Sequence, residues 1–336
     1  MSYLLHQKIP RKTFLASDAW LSFNRYLGHK TGRLRLENQD VSWIQKQSKM
    51  AGKFYLFSHS ALIEPGQTAC NLIKDIKKKD IPSDINYLRF VLMYTKEELG
   101  DIKKCGAFYS AKQYDLASWH AFVPLLGYKT SDEILQTFRK STRYEIRKAS
   151  KIFDVEVCVS PCNMKMKKTF WKYYADWTQK YLKTSFVSMS YFLNLLHFYE
   201  IDPEIQYYLI FVKYKGKTVG VAMFTQYENA IYYQYSASDK QLNKGGILHV
   251  AVYEAIKIAF ERRLAFVSLW GVVPKGLEHK VPKSWLGFSN FKLGFRPLVV
   301  RMAGPIIVPL KLVGYMGLVR DLWADIKLNY VNKFIR

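Results

Sequence analysis

Residues Tyr207–Ala237 read YYLIFVKYKGKTVGVAMFTQYENAIYYQYSA. Three runs rich in β-branched and aromatic residues, Tyr207–Tyr214, Thr218–Thr225 and Ile231–Ala237, are punctuated by the turn pairs Lys215-Gly216 and Glu228-Asn229. That composition and punctuation predict an antiparallel meander of strands. Downstream, His249–Arg262 carries Val252, Ala255, Ile256, Ala259 and Phe260 at helical spacing, and Ala265–Trp270 reads as one more strand. The sheet is therefore expected to stop being antiparallel between the Ile231 strand and the Ala265 strand. Strands splayed at that seam would leave backbone groups unpaired.

Upstream of the meander, Val155–Val159 reads as a strand, and Met164–Leu182 and Ser190–Tyr199 read as helices. Thr130 and Glu133 stand at capping-box spacing, so a basic helix is expected to begin there and run through FRKSTRYEIRKAS, Phe138–Ser150. Arg139, Lys140, Arg143, Arg147, Lys148 and Lys151 crowd this region against the single acid Glu145. Either an anionic ligand neutralises that charge or the helix is a solvated face. Further upstream, Phe14–Leu27 and Ala69–Lys79 are expected as helices, Lys53–Phe57 and Tyr87–Met93 as strands, and Ala117–Tyr128 as the crossing between two units. The order gives an α+β fold with expected divisions 1–125, 126–297 and a basic, apolar tail 298–336.

Bulk properties narrow the function. A chain of 336 residues is long for one domain. Its 49% hydrophobic content excludes a disordered chain. The formal charge of +24 favours anionic partners such as nucleic acid, lipid headgroups or phosphorylated substrates. The charge is spread along the chain rather than gathered into a nucleic-acid-binding arm, and DNA is not an expected partner. Cys70, Cys105, Cys158 and Cys162 give no disulfide framework, and none of them has the partners of a zinc site, so no metal is expected. The N-terminus MSYLLHQKIPRKTF lacks the apolar core of a secretory signal, which points to the cytoplasm. Leu298–Val319 is apolar but interrupted by Arg301, Pro305, Pro309 and Lys311. It reads as an interfacial or core-packed segment, not a membrane span.

Five stretches, in order, carry a family resemblance: FLASDAW (Phe14–Trp20), GKFYLFSHSALIEPG (Gly52–Gly66), STRYEIRKA (Ser141–Ala149), KGKTVGVAMFTQYENAIYYQYSAS (Lys215–Ser238) and FSNFKLGF (Phe288–Phe295). Together they resemble the FemX/FemAB family of nonribosomal peptidyltransferases, with BioF-like acetyltransferases, within the GNAT superfamily. The resemblance implies two GNAT-like (acyl-CoA N-acyltransferase) units, each a mixed sheet flanked by helices. It also implies transfer of an aminoacyl group from aminoacyl-tRNA to a peptidoglycan precursor. Two features depart from the family. The Gly-Pro of the N-terminal loop is replaced around Ser60-Ala61. FVSMS (Phe186–Ser190) stands where enzymes taking a nucleotide-linked acceptor place an arginine.

Acyl transfer needs a held acceptor, a stabilised oxyanion and a path for a proton. The seven histidines are scattered, which argues against a triad hydrolase. The resemblance places Lys292 beside the donor, where an ammonium can counter a phosphate or an oxyanion, with Phe291 stacked on the donor. Asp239, after the third meander strand, is the candidate proton acceptor. Tyr191 and Tyr235 are candidates to line an acceptor cleft, and Arg143, Arg147 and Lys148 to bind its phosphate. CoA-using relatives hold pyrophosphate on a glycine loop at a helix N-terminus. Here that loop is QLNKGG (Gln241–Gly246), with Lys244 where the first glycine belongs and Gly245 and Gly246 retained. The donor thus stays open between aminoacyl-tRNA and acyl-CoA, with no tightly bound cofactor. The readings are an aminoacyl- or acyltransferase acting on a cell-envelope precursor at the inner face of the membrane, a CoA-dependent N-acyltransferase of an amino sugar or small amine, and a non-catalytic GNAT-like binding module.

Overall fold

A computed structural model of the chain describes residues 9–63, 67–110, 119–184, 186–242, 245–273, 276, 278, 281 and 283–323. Over these residues the chain divides into two compact units. Of the described residues, an N-terminal unit gathers those within 10–120, 271–289 and 299–323; a central unit gathers Ile9 and those within 121–270 and 290–298. The class is α+β: two mixed sheets, each flanked by helices.

In the N-terminal unit β1 (Thr31–Arg35), β2 (Asp40–Ser48) and β3 (Gly52–Ser58) form an antiparallel meander. Strands β1 and β2 carry too many polar residues to announce themselves in the sequence. Helix α1 (Asp18–Tyr26) precedes them, its N-cap Ser17 accepting a bond from Trp20 N. Helix α2 (Ala69–Lys77) carries the chain over to β4 (Ile85–Val91), which pairs with β3 in parallel. Thr68 caps α2, and Lys74 and Lys77 lie in its last turn, where a cation suits the negative end of the dipole. Leu72, Ile73 and Ile76 of α2 share a core with Leu88 and Phe90. Each such buried side chain contributes about 1.5–3 kcal/mol. The one-turn helix α3 (Lys96–Leu99) carries a full capping box between Thr95 and Glu98, and β5 (Phe108–Tyr109) follows.

The central unit holds β6 (Trp119–Pro124), β7 (Asp154–Val159), β8 (Ile205–Tyr214), β9 (Lys217–Tyr227), β10 (Ala230–Ser238) and β11 (Phe266–Gly271). With β12 (Leu298–Arg301), the second sheet runs β12-β6-β11-β10-β9-β8-β7. Lys215 (φ 50°) and Gly216 (φ 76°) make the first meander turn left-handed at both central residues, the geometry that matches strand twist. Helices α4 (Ser131–Thr137), α5 (Lys140–Ala149), α6 (Met164–Trp177), α7 (Met189–Ile201) and α8 (Ile247–Glu261) flank this sheet. Strands β8 and β9 are buried along most of their length, as their near-continuous apolar sequences require.

Several expectations change in detail. The single basic helix is two, because Phe138 turns extended (ψ 164°) and ends α4 before α5 begins. Thr130 caps α4 at Glu133 N as its spacing suggested. The crossing expected in Ala117–Tyr128 is the strand β6, which passes between units at His120–Ala121. Residues 271–289, expected in the second unit, count with the N-terminal one. The segment expected to open a tail at 298 instead supplies β13 (Pro305–Pro309), antiparallel to both β4 and β5. Ile306, Ile307 and Val308 are fully buried there, and the prolines sit at the strand's ends, where a missing N–H is tolerated. One disulfide is present, Cys158–Cys162, between Cα atoms 5.8 Å apart, whereas Cys70 and Cys105 are free. Spacing without secondary structure did not show that the end of β7 doubles back through Ser160-Pro161, which is cis.

Candidate active site

The parallel junction of the central sheet is short. Strand β10 pairs with β9 along its whole length, from Ala230↔Tyr227 to Ser238↔Gly220. With β11 it pairs only at Ala230↔Phe266, Ile231↔Val267 and Tyr232↔Ser268. Beyond Tyr232, β10 continues for six residues with no ladder to β11. The register of β10 on β9 slips between Tyr233 and Tyr235, leaving Gln234 as the extra residue of a bulge. A bulge increases local twist, which turns the strand away from a neighbour. The seam expected from the sequence is therefore present.

Helix α8 crosses this part of the sheet at close range. A Cβ on Gly220 would stand 2.3 Å from Ile247 Cγ2, so glycine at 220 is what lets the start of α8 approach β9. The helix begins at Gly246 (φ 87°), which offers no side-chain cap. Helix α5 closes over that start. A Cβ on Gly246 would fall 2.6 Å from the Glu145 carbonyl oxygen, and one on Gly245 2.3 Å from Glu145 Oε2. Glu145 Oε2 is buried and has no hydrogen-bond partner among the described residues. The loop where pyrophosphate would be held thus has a carboxylate against it. Lys244 lies outside the described residues.

The Phe-Lys turn packs on the same end of α8. His249, in its first turn, stands 4.8 Å from Phe291 and 5.9 Å from Phe295 between ring centroids. Phe295 is fully buried, with its ring 5.2 Å from that of Phe138. Arg139 N donates to Gly294 O at 2.9 Å, and a Cβ on Gly294 would strike Thr142 Oγ1 at 2.4 Å. These contacts join the turn, α5 and α8 in one block. Lys292, in the last turn of α9 (Lys283–Leu293), is half-buried, and desolvation draws its ammonium down to about 8. Burial also draws His249 down to about 4, so its imidazole is neutral at physiological pH.

Beside the parted end of β10 lies a cluster of aromatic rings. Tyr235 is 5.5 Å from Tyr174 and 5.3 Å from Phe186, which are themselves 4.4 Å apart. Burial, then Tyr191 and Tyr174, raise the Tyr235 phenol, and burial raises Tyr191. Tyr199, fully buried, is raised well above its ordinary value by burial and then by Tyr235. At neutral pH these phenols are hydroxyl donors, not bases. Trp177 Nε1 donates to Ser238 O at 2.8 Å and pins α6 to the end of β10. Asp239 Oδ1 accepts from Gln241 N at 2.8 Å, so its carboxylate closes the turn after β10. The Tyr173 phenol, raised by burial and then by Asp239, lies beside it.

The structure therefore brings Tyr191 and Tyr235 together, and gathers Phe291, Gly245 and Gly246 around the start of α8. Sequence reasoning missed Tyr174, Tyr199 and Glu145. Tyr174 lies four residues after Phe170 on α6, a helical spacing that could have flagged it. The three basic residues of α5 do not converge. Arg143 donates to the carbonyls of Gln136 (2.9 Å) and Phe138 (2.8 Å), tying down the end of α4. Lys148 lies 5.7 Å from the Tyr144 ring centroid, and Arg147 is exposed. Among the described residues no cluster of acids, cysteines and histidines suits a metal, and no helix is long and apolar enough to cross a membrane.

Two mixed sheets, each turning from antiparallel to parallel across a helix, define the tandem GNAT-like fold. No protein-family model matches the chain, and no curated protein matches it by sequence. Solved structures do match. FemX superposes with a TM-score of 0.74 at 14% identity, covering 93% of this chain and 96% of FemX. L-PGS from Bacillus licheniformis gives a TM-score of 0.57 at 12% identity, covering 98% and 96%. The C-terminal domain (DUF2156) described as that of a lysylphosphatidylglycerol synthetase from Agrobacterium fabrum gives 0.57 at 11% identity, covering 95% of each chain. The fold of this chain is thus FemX-like.

Proposed function

We propose that the chain is a FemAB-like transferase whose central unit moves an aminoacyl or acyl group onto an amine or hydroxyl of a cell-envelope precursor. The observation that carries this is the parting of β10 from β11 after Tyr232↔Ser268, beside the half-buried Tyr174 and Tyr235. Exposed strand groups can bind an extended donor by backbone hydrogen bonds, as peptides add to a sheet edge. Tyr235 and Tyr191, protonated at neutral pH, supply donors for the acceptor or the developing oxyanion. Lys292, by its resemblance to the family's Phe-Lys lysine, supplies the cation. Asp239 fits a proton acceptor less well than a turn-former, since its Oδ1 is already engaged by Gln241 N.

The donor we favour is aminoacyl-tRNA. A carboxylate against Gly245 opposes a pyrophosphate by like charge, whereas the chain's +24 suits a polyanion bound elsewhere on its surface. The likeness to FemX and to a lysylphosphatidylglycerol synthetase domain supports an envelope acceptor.

The test is transfer from radiolabelled aminoacyl-tRNA, with acetyl-CoA in a parallel assay, each offered with peptidoglycan-precursor and lipid acceptors. Label passing from aminoacyl-tRNA alone is the expected result. Label from acetyl-CoA alone would overturn the donor assignment. No transfer from either, together with a Lys292→Ala protein that still performs the cellular role, would leave a non-catalytic binding module.

A further inference from the structure

The last described segment of the N-terminal unit is a helix with its polarity inverted. A 3-10 turn, Leu312–Tyr315, runs into a helical stretch over 316–323. Gly314, Gly317 and Asp321 face the sheet. A Cβ on Gly314 would fall 2.3 Å from Asn86 O, and one on Gly317 3.4 Å from the Tyr87 ring. Asp321 is 2% exposed and bonds to Arg89 Nη1 at 2.6 Å, Ser110 Oγ at 2.6 Å and Arg320 Nη2 at 2.6 Å. The small residues and the acid are thus inside.

The opposite face is apolar and open. It carries Leu312 (88% exposed), Tyr315, Met316, Val319, Leu322 and Trp323 (66%), spaced i, i+3, i+4, i+7, i+10 and i+11. An ordinary surface helix has the reverse arrangement, with its apolar stripe against the core. Scattered exposed hydrophobic residues need no explanation, but a continuous helical stripe marks an interaction surface. Lys311 stands exposed at the start of the stripe. The only acid between 311 and 323 is Asp321, held inside by Arg89 and Arg320, so this cluster of two cations and one anion keeps a net positive charge beside the stripe.

We propose that this face docks on the anionic surface of a lipid bilayer. Leu312, Met316 and Leu322 would enter the acyl boundary, Tyr315 and Trp323 would sit at the headgroup level, and Lys311 would meet headgroup phosphates. The segment lies on the bilayer and does not span it, since no described helix is long and apolar enough to cross. Asp321 has a purpose in this arrangement. Its bonds to Arg89 and Ser110 fix the helix to the sheet through its polar side, so the apolar side must face outward. The inference stands apart from the transferase reading, because it uses none of the residues assigned to the central unit.

The test is co-sedimentation of the full chain with vesicles of pure phosphatidylcholine and with vesicles in which about one third is phosphatidylglycerol. The wild type is expected to sediment with the anionic vesicles only, with a blue shift of tryptophan emission. The double variant Leu312→Asp, Trp323→Asp should lose at least about tenfold in partitioning. Its melting curve should be unchanged, because both side chains are exposed. Lys292→Ala should sediment like the wild type even if it abolishes turnover, which separates failure of this inference from failure of the transferase reading. Wild type left in the supernatant, or a double variant that partitions equally, would overturn the proposal. So would a wild-type dimer that the double variant dissociates, since a second copy would then cover the face.

Discussion

The two units contain the same junction in two states. In each, an antiparallel meander is followed by a helical crossover and a parallel strand. In the N-terminal unit β3 and β4 stay paired from Lys53↔Ile85 to Ser58↔Val91, the full length of β4 and all of β3 but its first residue. In the central unit β10 and β11 pair at three positions and then separate. The zipped junction satisfies its own backbone and packs Phe57 on Phe90 with ring centroids 4.6 Å apart. The open one surrounds its parted strand with Tyr174, Tyr191 and Tyr235. One architecture thus holds a copy whose junction is closed and a copy whose junction is open. The physical difference is the bulge at Gln234, which turns β10 off its neighbour; the only register slip between β3 and β4 falls at their start, before Phe54.

This contrast can be broken from the closed side first. Phe57 is fully buried, and Phe57→Ala is expected to cost about 3–5 kcal/mol of stability by transfer and cavity terms. Turnover per folded molecule should be preserved, as measured by denaturant melts alongside single-turnover rates. A comparable loss of turnover at full folding would show that the closed junction also serves chemistry.

The next effect is on the open side. Lys292→Ala should lower turnover about a hundredfold, equivalent to about 2.7 kcal/mol of barrier, with little loss of stability. The pH profile sharpens the point. Burial lowers this ammonium to about 8, so the cation is present below that pH and lost above it. Activity should therefore fall as pH rises through about 8; a solvated lysine would hold its charge to about 10.4. A rate independent of pH between 7 and 9.5 would remove Lys292 from the mechanism.

Tyr235→Phe keeps the ring and removes the hydroxyl, and a loss of about tenfold in turnover with an unchanged melt is expected. Equal activity would make the aromatic cluster a core and not a cleft. The smallest effect is expected from Arg147→Glu on the exposed face of α5, within about 0.5 kcal/mol in stability. Should an anionic ligand bind there, its affinity would weaken and become less dependent on salt. Arg143→Glu would be a poor probe of ligand binding, because it also frees the Gln136 and Phe138 carbonyls.

The sequence by itself determined five strands of the central sheet, β7 to β11, but not β6 or β12. Alternating and continuous apolar runs, the Lys215-Gly216 turn and the helix from Ile247 are local signals, and local backbone preference with side-chain periodicity is enough to set them. It also marked the seam, because a helix between two strands forces the second to pair in parallel if they are neighbours. Tertiary structure alone decided that the Pro305–Pro309 strand inserts between β4 and β5, that Arg143 caps α4 instead of awaiting a ligand, and that Glu145 lies against Gly245. Each depends on groups far apart in the chain meeting in space. Charge and hydropathy say which residues seek partners, but only packing assigns the partner.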